Sequence, residues 1–455
     1  MRGSLAQLAS AIDGAVLQGD AAFESVSTDS RTANAGVLFV ALRGERFDAH
    51  DFLPQVAANG AAAVVAERLP EGWTLPALVV PDTLVALGRI ANSWRRQYAI
   101  PVIGVTGSNG KTTVKEMIAS ILAAAVGIDA RLATQGNLNN EIGVPLTLMR
   151  LESSHRAAVV ELGMNHPGEI ARLAAIAEPT VGLVNNAQRE HQEFMHTVEA
   201  VALENGSVFA ALPASGVAVY PGDDTYTPLW QGLAKCRSLT FGLLDACDVR
   251  ATFSSTGFGN ALQVTTPEGG FALNLAAAGE HNVRNALAAI ACTLAAGIEQ
   301  SVIVRGLEAF APVGGRLQRK QAVNGALVID DTYNANPDSM RAAIDVLAAY
   351  PAPRFLVIGD MGEVGTQGRE FTEEIGAYAQ SRGIETVLAT GELSTHLVAH
   401  GATHFEQFDE LLAALDKQLG GNSDATVLVK GSRFMKMERV VHHLTGSTAT
   451  PKDAH

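Results

Sequence analysis

The sequence predicts an α/β chain of three domains, and three features carry that prediction. Short buried strand-like runs recur along the chain with Ala-rich helical stretches between them. A glycine-rich turn sits between one such strand and a helix, and a turn-rich break at Pro312-Val313-Gly314-Gly315 is followed by a fresh round of alternation. The expected architecture is a small N-terminal α/β domain, a central P-loop domain with a parallel sheet plus a β-meander, and a C-terminal Rossmann-like domain. The 455 residues suit this division, since a domain takes roughly 100–200.

The first domain is placed at residues 1–98. Residues 37–42 and 77–80 read as strands, and Asp82 reads as the N-cap of a helix running to about residue 98. The second, residues 99–311, opens at Ile100-Pro101. Residues 102–105 form a buried strand, a Gly-rich loop follows, and residues 112 to about 125 form a helix; further strands come at 157–161 and 181–184. Residues 237–275, rich in Thr, Ser, Gly and alternating apolar residues, read as the meander. The third domain, 312–455, carries strands at 326–329, 355–358, 386–389 and 426–429, and a polar tail from residue 445 that is expected to fray.

Bulk properties exclude several function classes. The net charge is −14 and no Lys/Arg run occurs, so no nucleic-acid partner is expected. No apolar run approaches the roughly 20 residues that span a bilayer, and the N-terminus lacks a signal-peptide h-region, so membrane insertion is not expected and the location is read as cytoplasmic. Cys236, Cys247 and Cys292 have no metal-ligand spacing and read as free or buried thiols of a reducing compartment.

The chemistry begins at Thr106-Gly107-Ser108-Asn109-Gly110-Lys111-Thr112-Thr113. Strand, glycine turn, Lys-Thr and helix together are what a triphosphate needs: backbone N–H groups reach the oxygens, the helix N-terminus adds positive potential, Lys111 neutralises β/γ charge and the Thr112 hydroxyl can ligate Mg²⁺. The strict Walker pattern fails, because Val105 stands six residues before the lysine; the shorter Thr-Gly-x-x-Gly-Lys-Thr-Thr form is present. Glu161 ends a buried strand, which places its carboxylate at the ligand-binding end of a parallel sheet, where it could hold Mg²⁺. His191 follows the next strand; alone it could be a ligand or a structural histidine.

Four further stretches complete a pattern: Gly279-Glu280-His281-Asn282-Val283-Arg284-Asn285, Gly315-Arg316-Leu317-Gln318, Asp330-Asp331-Thr332-Tyr333-Asn334-Ala335-Asn336-Pro337 and Val429-Lys430-Gly431-Ser432-Arg433. With the phosphate loop they resemble, in order and spacing across almost the whole chain, the Mur ligases. The resemblance implies a domain for a UDP-sugar, a central ATPase and a C-terminal domain that closes over the site. It implies that Lys111 binds the β/γ-phosphates, that Thr112 and Glu161 hold one Mg²⁺ and that His191 holds a second. Asn282 and Asn285 would contact adenine, Arg316 would approach the phosphates, and Asp331 would reach the ribose, with Asp330 as the neighbouring candidate.

For the sugar nucleotide, Ser30 and Arg31 match an Asp-Ser-Arg turn, and Thr134, Asn137 and Asn139 lie in a second matching loop. Gly359-Asp360-Met361-Gly362-Glu363 and Lys430, Ser432 and Arg433 follow C-domain strands and are candidates for holding the incoming dipeptide. The branch resembled adds D-alanyl-D-alanine to a UDP-N-acetylmuramoyl tripeptide in peptidoglycan synthesis, by way of an acyl phosphate formed from ATP, and a monomer is expected. Its diamino-acid-adding relative carries Asp-Asn-Pro-Arg, which is absent here. That relative, more distantly folylpolyglutamate synthase, and outside the class a nucleotide-gated binding protein are the alternative readings. In one respect the chain departs from the family. Where a lysine that CO₂ carbamylates is expected, fourteen residues after His191, stands Asn205. Glu204 or water would have to replace its charge at the second metal.

Overall fold

The computed structural model describes residues 1–44 and 47–447. Residues 448–455 of the polar tail lie outside the described residues; Thr445, where that tail was expected to begin, still closes the last helix, Glu438–Thr445.

The N-terminal sheet has five strands in the order Val16–Gln18, Ala77–Val79, Ala63–Ala66, Val37–Val40, Ser25–Ser27. Only the Val16–Gln18 edge runs antiparallel. The helix Thr83–Arg95 starts where Asp82 accepts the Val85 N–H, as the capping pattern predicts. It is also the joint to the centre of the molecule. Asn92 donates to the Ala175 and Ile176 carbonyls, and buried Arg95 donates to those of Ala177 and Glu178, so the last turn of the helix Glu169–Ala177 finds its acceptors filled from another domain.

The central sheet has nine strands: Arg131–Ala133, Ala157–Glu161, Val102–Thr106, Val181–Val184, Val217–Pro221, Arg237–Gly242, Val249–Ser255, Asn260–Thr266 and Gly269–Leu275. The first seven are parallel. The expected meander over 237–275 is therefore corrected. Arg237–Gly242 pairs in parallel with both neighbours, and only the last three strands form antiparallel hairpins. The turn-rich composition of that stretch marks the hairpins and cannot reveal that its first strand belongs to the parallel set. Along the strand Val102–Thr106, Ile103 and Val105 enter the core beneath the helix Lys111–Val126, while Val102 enters the opposite core. That helix packs on Gln300–Glu308 at very short range. A Cβ on Gly306 would lie 2.4 Å from the Ile121 Cα, so only glycine permits the approach.

The C-terminal sheet runs Gln318–Gln321, Leu327–Asp331, Thr426–Lys430, Arg354–Gly359, Thr386–Thr390, Thr403–Phe405, all parallel except the first pair. The edge strand Gln318–Gln321 was not anticipated, because four polar residues in a row carry no apolar alternation. Among the described residues no helix is long and apolar enough to cross a membrane.

Candidate functional site

The phosphate loop leaves the strand Val102–Thr106 and turns into the helix Lys111–Val126 with Gly110 as its N-cap. Gly110 has φ 80, and a Cβ there would sit 2.5 Å from the Asn285 Oδ1, so glycine is required both by conformation and by crowding. The loop is braced by a strip that follows the neighbouring strand Val181–Val184. The Ser108 N–H donates to the Asn186 carbonyl, the Asn109 N–H to Asn186 Oδ1, and the Asn109 side chain to Gln188 Oε1 at 2.6 Å. Asn185 ties the Asn109 carbonyl to Asn285 Oδ1. Lys111 opens the helix, and its Nζ is folded back onto the Gly107 and Ser108 carbonyls and Glu190 Oε1, the last at 2.7 Å.

The expected cation-binding groups Thr112, Glu161 and His191 line the same cavity. Glu161 Oε1 accepts from the Thr112 hydroxyl at 3.2 Å and from Asn139 Nδ2 at 2.8 Å, while Glu161 Oε2 is buried without a partner. His191 stands with φ 48, a left-handed conformation uncommon outside glycine. Its Nδ1 lies 2.6 Å from Glu363 Oε2 of the C-terminal domain, off the direction of a hydrogen bond, and its Nε2 lies 3.5 Å from Glu190 Oε1. Burial alone would lower the imidazole pKa, but the Glu190 and Glu363 carboxylates outweigh it and raise it to about 9. Glu190 Oε2 and Asn185 Oδ1 are likewise buried and unpartnered. Such a concentration of orphaned acceptors is costly in the absence of a ligand that donates to them or carries positive charge. Among the described residues no three His, Cys, Asp or Glu side chains converge as a metal nest, so any cation here would complete its shell with phosphate and water oxygens.

From the C-terminal domain, Arg316 reaches across to donate to the Thr112 hydroxyl at 2.9 Å, its guanidinium stacked over the Tyr333 ring. Asp331 lines the cavity, accepting from the Leu317 N–H and from buried Lys430 Nζ at 2.6 Å. Asp330 is off the cavity wall and accepts from Thr332 and Lys320. Lys430 lines the cavity; Ser432 and Arg433 do not. Ser432 Oγ accepts the Gly362 N–H and donates to the Ala335 carbonyl, bracing the loop that ends in Glu363, and Arg433 lies 3.4 Å from Glu438. Asn282 and Asn285 share one buried helix face on the cavity wall, linked by a 3.1 Å bond.

The sugar-nucleotide candidates divide. Asn137 and Asn139 line the cavity. Thr134 is buried beneath it, where its hydroxyl accepts the Glu161 N–H and its carbonyl accepts from Lys115, a fully buried lysine that sequence reasoning missed. Thr134 thus braces Glu161 and is corrected from a sugar-nucleotide contact to a support, since it is buried and off the cavity wall. Ser30 and Arg31 lie on an exposed turn of the N-terminal domain, outside the cavity wall, with Arg31 paired to Asp29. The strip Asn185–Glu190 was also missed. Its signal was its place, directly after the C-terminal end of a parallel strand, the same rule that selected Glu161.

Asn205 is fully buried and outside the cavity wall; its Oδ1 accepts from the Thr106 hydroxyl at 2.6 Å and its Nδ2 has no partner. Glu204 is not free to replace the missing charge. Its two oxygens accept the Gly168 and Ile170 N–H groups, both at 2.8 Å, capping the helix Glu169–Ala177.

These elements enclose one cavity of about 820 Å³ between the phosphate loop and the C-terminal domain, large enough for a nucleotide and part of a second substrate.

Comparison with known proteins matches three family descriptions in chain order: the catalytic domain of the Mur ligase family over residues 22–95, the Mur ligase middle domain over 105–293, and the Mur ligase glutamate ligase domain over 315–433. The UDP-N-acetylmuramoyl-tripeptide–D-alanyl-D-alanine ligase of Escherichia coli (strain K12) is 39% identical over 447 residues, 97% of this chain and 98% of that protein. The crystal structure of MurF from Acinetobacter baumannii superposes with a TM-score of 0.92 at 36% identity, covering 98% of this chain and 99% of that one. The MurF ligase of Thermotoga maritima, in complex with ADP, superposes with a TM-score of 0.85 at 26% identity, covering 93% and 97%.

Proposed function

Because this chain belongs to the Mur ligase family, we propose that it is an ATP-dependent, ADP-forming ligase that joins D-alanyl-D-alanine to the terminal carboxylate of a UDP-N-acetylmuramoyl tripeptide, a step of peptidoglycan precursor synthesis. The observation that carries the reading is the shared cavity. Lys111 and Glu161 of the central domain, Asn137 and Asn139 of the adjoining loop, and Arg316, Asp331 and Lys430 of the C-terminal domain all face it.

The tripeptide carboxylate attacks the γ-phosphorus of ATP, giving an acyl phosphate and ADP. The dipeptide amine then attacks the acyl carbon, loses a proton and expels phosphate. The substrate carboxylate is the nucleophile, so the protein's part is positioning and charge stabilisation. Lys111 exchanges its loop carbonyls and Glu190 for the β/γ-phosphates, and the backbone N–H groups of Gly110 to Thr113 at the helix start take the remaining oxygens. Arg316 meets the transferring phosphoryl group from the opposite side. Asn282 and Asn285 contact adenine and Asp331 the ribose. Ser30 and Arg31 hold the distant uridine end, with Asn137 and Asn139 nearer the reaction. The C-terminal domain, closed over the cavity, keeps water from the acyl phosphate.

Thr112 and Glu161 are the groups that would hold one Mg²⁺, and His191, on giving up its proton between Glu190 and Glu363, would hold a second. Oxygen donors, among them an unpartnered buried carboxylate oxygen on Glu161, suit a hard divalent cation. When bound, Mg²⁺ supplies neutralisation of the phosphate oxygens. We place the enzyme in the cytoplasm, as a monomer, where its soluble nucleotide substrates are.

The intermediate provides the test. With tripeptide and ATP but no dipeptide, hydroxylamine should trap a hydroxamate and labelled ATP should undergo positional isotope exchange. Absence of both would remove the acyl phosphate and favour an ATPase that does not ligate.

A further inference from the structure

The strip that braces the phosphate loop carries an arginine pointing the other way. Arg189 lies between Gln188, bonded to Ser108 and Asn109, and Glu190, bonded to Lys111. Its guanidinium crosses to the C-terminal domain and grips two carboxylates there. Nε and Nη2 donate to Asp338, the latter at 2.7 Å, and Nη1 and Nη2 donate to Glu374, the former at 2.6 Å. The Arg189 backbone N–H also donates to Asp338 Oδ2 at 2.9 Å, and the guanidinium stands over the Phe371 ring. Asp338 is in the first turn of the helix Pro337–Ala348, and Glu374 is on the helix Gly368–Ser381. Both helices flank the C-terminal sheet, so one side chain holds two elements of that domain at once.

Forked, two-carboxylate contacts of this kind are specific in geometry and stronger than simple surface pairs. All three side chains are about one-quarter exposed, which shields the pairs from solvent in part (22%, 24% and 31%). The contact has a parallel one step along the loop, where Asn336 donates to Asn109 Oδ1 at 2.9 Å. Phosphate loop, strip and C-terminal domain are thus mechanically continuous; a second charged link to that domain is His191, next after Glu190 and 2.6 Å from Glu363, and Glu374 also pairs with Arg341 of its own domain at 3.0 Å.

We propose that Arg189 is a positioning residue that clamps the C-terminal domain onto the phosphate-loop strip and so holds Arg316 over Thr112. Arg189, Asp338 and Phe371 stand on the cavity wall, but the guanidinium is engaged by the two carboxylates, so it acts by setting the population of the closed arrangement. The proposal deepens the ligase reading and rests on it for its kinetic consequences, though closure itself does not.

Small-angle scattering of the full chain, with and without saturating ADP, reads closure without turnover. Arg189→Ala should give a larger radius of gyration than the parent under both conditions, and Glu374→Gln a smaller change in the same direction. In the ligase assay, kcat should fall about tenfold in Arg189→Ala, the scale for losing a partly screened forked charge pair. ADP release should exceed bonds formed, because an open site admits water to the acyl phosphate. The double variant Arg189→Ala/Glu374→Ala should cost less than the sum of the two single losses, the remainder being Glu374's own pair with Arg341. Parent-like radii in both single variants, or additive losses in the double variant, would overturn the clamp. If Arg189→Ala does not fold, Glu374→Gln and Glu374→Ala carry the same readouts. Parent-like scattering together with unaltered coupling in those two would be equally fatal to it. A chain that closes through Arg189 but ligates nothing would keep the clamp and sink the ligase reading instead.

Discussion

Arg316 Nη2 and the Thr112 hydroxyl, 204 residues apart in the chain, meet at 2.9 Å. The contact joins the C-terminal domain to the residue that follows Lys111, and it places a guanidinium over the loop to which we assign the ATP phosphates. Removing it by Arg316→Ala is expected to lower kcat by about 10²- to 10³-fold, the range for deleting one transition-state charge contact. Nucleotide affinity should fall less, since the loop's backbone donors remain. Arg316→Lys should not restore the rate, because an ammonium lacks both the fork and the flat face that stacks on Tyr333. Steady-state kinetics and ADP titration separate the two effects; a kcat within threefold of the parent would remove Arg316 from the reaction.

Lys111 is held by two loop carbonyls and Glu190 and is mostly buried. Lys111→Met keeps the aliphatic stem and deletes only the ammonium. Ligation should drop at least about 10²-fold with the fold retained by circular dichroism. A folded variant with near-parent turnover would mean that another cation serves the phosphates.

The adjacent aspartates should differ in their effect on KM. Asp331→Asn is expected to raise KM for ATP several-fold and also to lower the melting temperature, because it leaves the buried Lys430 ammonium without its carboxylate. Asp330→Asn is expected to leave KM unchanged and to lower stability by about 1–3 kcal/mol, because buried Asp330 accepts from Thr332 and Lys320 away from the cavity. The reverse pattern would reassign the ribose contact.

That pair also marks how far the sequence could be read. Consecutive strand residues face opposite sides, so at most one of the two aspartates could face the cavity. Which one depended on the polar edge strand Gln318–Gln321, whose Lys320 captures Asp330 and which no apolar alternation announces. The phosphate loop and Glu161 were legible because their chemistry demands a local run of residues at a strand end. Thr134 was misjudged for the opposite reason. A polar loop residue looks the same in sequence whether it faces a ligand or braces a carboxylate from beneath. Lys115 was hidden because a single lysine in a helical pattern is normally solvated, and its burial is repaid only by the Thr134 carbonyl and Glu116 brought to it by the fold.

Asn205 and Glu204 give a fourth expectation. With Asn205 tied to Thr106 and no lysine at that position, the rate should be the same in bicarbonate-depleted buffer and after bicarbonate is restored. A several-fold rescue would place a carbamylated lysine elsewhere in the site. Glu204→Ala should lower stability by about 1–2 kcal/mol, as loss of a helix cap does, and should leave the Mg²⁺ requirement unchanged. A raised Mg²⁺ requirement would return Glu204 to the metal.

The central claim is the choice of substrates, and a coupled assay of phosphate release with mass analysis of the product addresses it most directly. The enzyme is offered ATP with either UDP-N-acetylmuramoyl tripeptide or dipeptide, and each is paired in turn with D-alanyl-D-alanine, free diaminopimelate and free lysine. The account predicts one phosphate per bond formed, and product only from the tripeptide with D-alanyl-D-alanine. Ligation of a free diamino acid to the UDP-muramoyl dipeptide, or phosphate release that needs neither co-substrate, would contradict it.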